Sequence, residues 1–270
     1  MTSGTRGEAR SAFAHVAITG AAGAIGAALA RAMRAAWPTV ELALIDRDRE
    51  ALERVAVELR TSTGDATVHV ADLRDVAALP DLIARIAATR PLDGLVNCAG
   101  VMWVKQLQTT RWEDANDLLA IDLIAPLRLQ DLVLRGMVER GRGLVINVAS
   151  MAGRVPLKGG AYYGASKAGL AMASEIARAD LAQYGVQVVT VYPGPVRSAL
   201  EAGARANYGG GGMAGRFAPT GDPAELARRI MHAIADDEPR VIYPRVYGVG
   251  WTAPNVARWI SLSYGPQPIA

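Results

Sequence analysis

Tyr163 and Lys167 stand four residues apart in YYGASKAGL (162–170). On a helix that spacing puts both side chains on one face, with Cβ atoms roughly 5–6 Å apart. A phenol titrates near pH 10 and is a poor base at neutral pH, with a pKa of about 10. A fixed ammonium beside it favours the phenolate and lowers that value, which makes an acid–base group of the tyrosine. The lysine is one of three in a chain with 26 arginines. An arginine would hold its charge as well, but its broad fork and very high pKa make it a poor proton carrier. Ser150 precedes Tyr163 by 13 residues and could orient a substrate oxygen by a hydrogen bond. Tyr162 lies five residues from Lys167 and is expected to serve only as a wall. The bland alternative is a surface helix carrying a chance Tyr–Lys pair.

The elements that must position these groups are legible as short apolar runs: 15–20, 40–46, 66–72, 93–100, 143–150 and 186–194. Each is followed by a longer stretch with helical spacing. Near-continuous apolar strands separated by helices predict a parallel sheet covered on both faces. Six such units without a low-complexity linker predict one α/β domain, a Rossmann-like doubly wound parallel sheet flanked by helices, over residues 14–270. Residues 1–13 are read as a flexible leading segment. Residues 199–222, with four consecutive glycines at 209–212, have no apolar periodicity and are read as a mobile stretch. The tail 241–270 carries five aromatic residues and suits an added strand, a subunit contact or a pocket wall.

The first strand runs into TGAAGAIG, with Gly20, Gly23 and Gly26 between a strand and an alanine-rich helix. Glycines there permit a tight turn and close approach of backbone to a pyrophosphate, whose charge the free amides and positive end of the helix would hold. Ile25 belongs to the same turn. Asp46 ends the second strand 20 residues after Gly26 and could accept from an adenosine ribose while repelling a 2′-phosphate. That favours NAD(H), with NADP(H) kept open by Arg47 beside it. The competing reading makes Asp46 the cap of the next helix. Asp72 and Leu73 follow the third strand, where the carboxylate could meet an adenine amino group or cap a helix. In NCAG (97–100), the small Ala99 and Gly100 would let a cofactor lie against the backbone, and Asn97 could instead tie strands together.

With TGAAGAIG, Asp72-Leu73, NCAG, Ser150 followed by YGASK, and PGPVRS (193–198) in order, residues 14–198 resemble the short-chain dehydrogenase/reductase family in its single-domain, ordinary-length branch. The resemblance implies a Rossmann fold, a nicotinamide cofactor and interconversion of a secondary alcohol with a ketone. Ser150, Tyr163 and Lys167 become the catalytic group, with the lysine also binding ribose hydroxyls. Pro193, Gly194, Val196 and Ser198 fall near the nicotinamide, and 199–222 becomes a substrate lid. Assembly as a homodimer or homotetramer through 110–139 and 161–184 is also implied. There are two departures. Ala24 replaces the middle glycine of the usual turn, with Gly23 before it. Asp122 stands where the family often has an asparagine that supports a water beside the lysine. A carboxylate there could still support the water or pair with Lys167, and it would tend to raise the tyrosine's pKa. The rival functions are a non-redox enzyme on the same scaffold, such as an epimerase or dehydratase, and a cofactor-binding sensor.

Composition narrows the remaining classes. The net charge is +3 with basic residues scattered rather than interleaved with aromatics, which argues against nucleic acid as a partner. Cys98 is the only cysteine and the three histidines lie far apart, so neither a disulfide nor a metal site is expected. No stretch approaches the roughly 20 apolar residues of a membrane span. The expected setting is the cytoplasm.

Overall fold

The computed structural model describes residues 13–208 and 219–268. The leading residues 1–12 and Gly209–Gly212 of the expected lid lie outside the described residues. Phe13, assigned above to the leading segment, is buried against Trp37, with the Arg142 guanidinium over its ring.

Seven strands form one parallel sheet: β1 (His15–Thr19), β2 (Glu41–Asp46), β3 (Ala66–Val70), β4 (Gly94–Asn97), β5 (Gly143–Val148), β6 (Val186–Pro193) and β7 (Arg240–Tyr243). Their order is β3-β2-β1-β4-β5-β6-β7. All six expected strands are present, and the tail contributes to the seventh. The strands read as apolar runs because both faces are covered. On β1, Val16 and Ile18 enter one core and Ala17 the other; on β5, Leu144 and Ile146 face opposite to Val145.

The first core is closed by α1 (Ala24–Ala36), α2 (Arg49–Leu59) and the eighth helix, α8 (Pro223–Ala235). The second is closed by α3 (Leu79–Ile86) and α5 (Ala125–Glu139), with the end of α6 (Ala161–Leu181) packed against it. Asp48, not Asp46, caps α2, accepting from the Ala51 amide at 3.0 Å. Such a cap is worth about 1 kcal/mol.

Between α4 (Trp112–Leu119) and α5 the chain widens into a π-helical turn, Ala120–Ile124. Pro126 has no N–H to give to the carbonyl four residues back and its ring crowds that carbonyl, which disfavours a regular α-turn at this point. Single π-turns of this kind recur at functional sites. This one seats Asp122 with no solvent exposure.

The expected patternless stretch 199–222 begins as a helix, α7 (Ala199–Ala206), capped by the Ser198 hydroxyl on the Glu201 amide. The tail continues as a short helix α9 (Val249–Thr252) and α10 (Pro254–Tyr264). No helix among the described residues is long and apolar enough to cross a membrane.

Candidate active site

Between β1 and its neighbours the chain reverses direction across the sheet: β1 pairs with β2 on one side and with β4 on the other. The crevice outside the carboxyl ends of strands at such a switch point is where open α/β sheets place ligands. A cavity of about 1200 Å³ opens there. Its lining brings together Gly20, Gly23, Ile25, Gly26, Asp46, Arg47, Asp72, Leu73, Ala99 and Gly100 with Ser150, Tyr163, Lys167, Pro193, Gly194, Val196 and Ser198.

At one end lies the glycine turn. Gly20 adopts φ +67°, and a Cβ there would meet the Ala99 backbone at 2.7 Å. A Cβ on Gly26 would lie 2.2 Å from the Gly20 carbonyl oxygen. Both positions therefore require glycine. Gly23 sits at the cap position of α1 without a side chain to close the helix end, so the first-turn amides keep their hydrogens. The Asp46 carboxylate stands beside the turn, accepting from the Ala22 amide at 3.2 Å and the Arg47 amide at 2.7 Å. Asp72 also lines the cavity, but Arg74 grips it from the side and reaches Asp117 at 3.0 Å. That hydrogen bond with Arg74 holds the Asp72 carboxyl below its usual range. Cys98 is half-buried beside the turn, and desolvation pushes its thiol up to about 12, which disfavours the thiolate.

Asn97 is not in the lining. It is buried, and its amide donates to Asn147 Oδ1 at 2.9 Å, while Asn147 donates to Gln130 and Ser174. Of the two roles open for it in the sequence, the structure places it in the strand-tying one, between β4 and β5. Tyr162 also lies off the large cavity, edge-on to Trp112 at 6.4 Å between centroids.

The middle of the cavity holds the acid–base group. Tyr163 and Lys167 are both buried on α6, with the Lys167 ammonium 5.9 Å from the centroid of the phenol ring. Ser150, just past β5, accepts from the Ala152 amide at 3.1 Å and donates to the Pro193 carbonyl at 3.4 Å, and it acts on the phenol by favouring its charged form. The ammonium donates to the Val148 carbonyl at 3.3 Å and pairs with Asp122 at 3.3 Å. Asp122 lies behind Lys167 rather than on the cavity, and its other oxygen accepts from the Val101 amide at 2.8 Å.

Burial alone would push the Lys167 ammonium down. Asp122 and Tyr163 more than offset this, and the lysine stays above its ordinary value and charged. Burial pushes the Tyr163 phenol up; Lys167 and Ser150 oppose it, and Asp122 adds to it. The net direction from the chain's own groups is upward, and the lowering expected for the phenol counted, besides the ammonium, the positive charge of an oxidised nicotinamide. Desolvation and the carboxylate behind the lysine account for the rise.

What sequence reasoning missed is the far wall of the cavity, built from α7, α9 and α10. The aromatic tail pointed to a wall without giving its residues.

Residues 14–209 match the family described as short chain dehydrogenase. Over 189 residues the chain is 34% identical to D-threitol dehydrogenase of Mycolicibacterium smegmatis, covering 68% of this chain and 70% of that protein. It is 32% identical over 188 residues to 2,3-dihydro-2,3-dihydroxybenzoate dehydrogenase of Bacillus subtilis, with 68% and 70% covered. A short-chain dehydrogenase of Sphingobium yanoikuyae, solved in complex with NADPH, superposes with a TM-score of 0.76 at 27% identity, over 93% of this chain and 95% of that one. The chain belongs to the short-chain dehydrogenase family, a family of NAD(P)-dependent oxidoreductases.

Proposed function

We propose that the protein interconverts a secondary alcohol and a ketone, using a nicotinamide dinucleotide held along the glycine turn. The observation that carries this reading is the convergence of Ser150, Tyr163 and Lys167 on the same cavity as the uncapped end of α1. The turn has the properties a dinucleotide needs: glycines where a Cβ would strike backbone, and helix amides with hydrogens to donate. Such a cofactor, when bound, supplies the hydride donor or acceptor and, when oxidised, a positive charge.

The chain's own groups do the rest. Ser150 orients the substrate oxygen by a hydrogen bond. Tyr163 passes a proton to that oxygen in reduction or takes one in oxidation. Lys167, held charged by Asp122, keeps a cation beside the phenol and presents donors to ribose hydroxyls. Asp46 stands where it would accept from a ribose and disfavour a 2′-phosphate, which supports NAD(H); Arg47 on the same rim is the opposing charge. The structural relative named above holds NADPH, so the two cofactors must be compared directly.

The test mixes purified protein with NADH or NADPH and a ketone panel and follows the reduced-nicotinamide absorbance. Turnover is expected, with Tyr163→Phe losing on the order of 10²–10⁴-fold in kcat while still binding cofactor. Undiminished turnover in that variant would refute the assigned proton donor.

Two further readings belong here. Trp112, Ile124, Met172 and Ile176 are exposed on the neighbouring α4, π-turn and α6 surfaces, which supports a homo-oligomer through those elements. A cytoplasmic setting fits the single unpaired thiol, Cys98.

A further inference from the structure

We propose that the site takes a bulky, predominantly apolar ketone or secondary alcohol, rather than a small polyhydroxylated one. This rests on the dehydrogenase reading above and names its substrate class.

Beyond Ser150 and Tyr163 the cavity is walled by Val155, Leu157, Leu200, Val249, Ala257 and Ile260. Among the described residues, the polar side chains of that wall donate to partners within the protein. Arg205 donates to Glu201 at 2.7 Å. Tyr208 donates to the Lys158 carbonyl at 3.0 Å and Tyr247 to the Pro219 carbonyl at 3.3 Å. Ser261 donates to the Pro156 carbonyl. A polyol entering this region would surrender hydration to a surface on which few donors are free among the described residues, and each unmatched hydroxyl would weaken binding. An apolar substituent gains from the same surface, because its burial removes hydrocarbon area from water.

The wall is also anchored. Trp251 on α9 lies edge-on to Tyr192 at 5.2 Å, with Arg154 at 3.8 Å and Arg240 at 4.4 Å over its ring. A Cβ on Gly250 would meet Met151 and Val155 side-chain carbons at 2.9 Å, so α9 packs directly on the segment after Ser150. The apolar wall is thus tied to the catalytic serine's own loop.

The experiment uses the full chain with NADH and NADPH and two ketone series. One is the 2-alkanones from butan-2-one to decan-2-one; the other is polyhydroxylated ketones such as 1,3,4-trihydroxybutan-2-one. Expected is a rise in kcat/KM of roughly three- to fourfold per methylene, corresponding to about 0.8 kcal/mol, until the cavity is filled. The hydroxylated series should stay at least about 100-fold below the longest alkanones. Ile260→Asn should flatten the chain-length slope, with its melting midpoint measured alongside to exclude unfolding. A slope of zero, or higher kcat/KM on the hydroxylated ketones, overturns the proposal. Binding of both ketone types to the protein–NADPH complex, read by cofactor fluorescence, separates the two readings. If no ketone is turned over, the dehydrogenase reading fails, and the substrate class stands or falls on whether decan-2-one binds more tightly than trihydroxybutanone.

Discussion

Replacing the Asp122 carboxylate by an amide removes one of the two influences that push the Tyr163 phenol up, burial being the other. In alcohol oxidation the phenolate is the active form, so the rate falls as pH drops through the tyrosine's pKa. Asp122→Asn lowers that pKa, and the acid-side limb of the kcat/KM profile should move to lower pH. A profile that overlays the parent's would refute the coupling. Among the described residues, the groups that act on the phenol are Lys167 on its own helix, Ser150 after β5 and Asp122 from the π-turn. The same substitution leaves the Lys167 ammonium buried without its counter-charge, and unfolding free energy should fall on the order of 3 kcal/mol in denaturant titration. Asp46 governs a different property. Asp46→Ser should raise the NADPH-to-NADH ratio of kcat/KM by about tenfold or more, equivalent to about 1.4 kcal/mol. An unchanged ratio would remove Asp46 from cofactor selection.

Elements add constraints that single residues do not carry. The turn from β1 into α1 works because Gly20 occupies a left-handed conformation and lies so close to the Ala99 backbone that a Cβ would strike it. Gly20→Ala should therefore cost about 1–2 kcal/mol from backbone handedness, with more from the clash. Dinucleotide binding, measured by fluorescence titration, should be lost even below the melting transition; retained affinity would show that the turn can shift. These glycines were readable in sequence because the turn follows a strand and opens a helix. The π-turn was not. It arises from Pro126 and the packing of α4 and α5 against α6, and no local pattern announces where a helix gains a residue. Likewise, α7 was hidden in a run of alanine, glycine and arginine whose apolar face is completed only by the cavity it borders.

For the whole molecule, the sheet order decides which loop ends meet. Asp46, Asp72, Ala99, Ser150 and Gly194 come from the ends of five strands, and they share one crevice because all strands run parallel. Met172 and Ile176 are more than half exposed on α6, as is Trp112 on α4. Light scattering on the purified protein should give a multiple of the chain mass, and Met172→Glu should shift it toward the monomer. A parent protein that is monomeric at micromolar concentration would reject this surface as an interface.

The sequence by itself determined the parallel α/β sheet, the glycine turn and the Tyr163–Lys167 pair with Ser150. Each depends on periodicity or on spacing along a single element, and such relations are local. It left Asp46 as either a ribose contact or the cap of the next helix, Asn97 as either a ligand contact or a strand tie, and Asp122 as a carboxylate that could pair with Lys167. Only the tertiary structure decided these, because a carboxylate's effect depends on distance to a partner far along the chain and on how much water remains around both. The apolar wall of α9 and α10 belongs to the same class: its residues face a cavity instead of a core, so their pattern acquires meaning only once Ser150 and Tyr163 stand opposite.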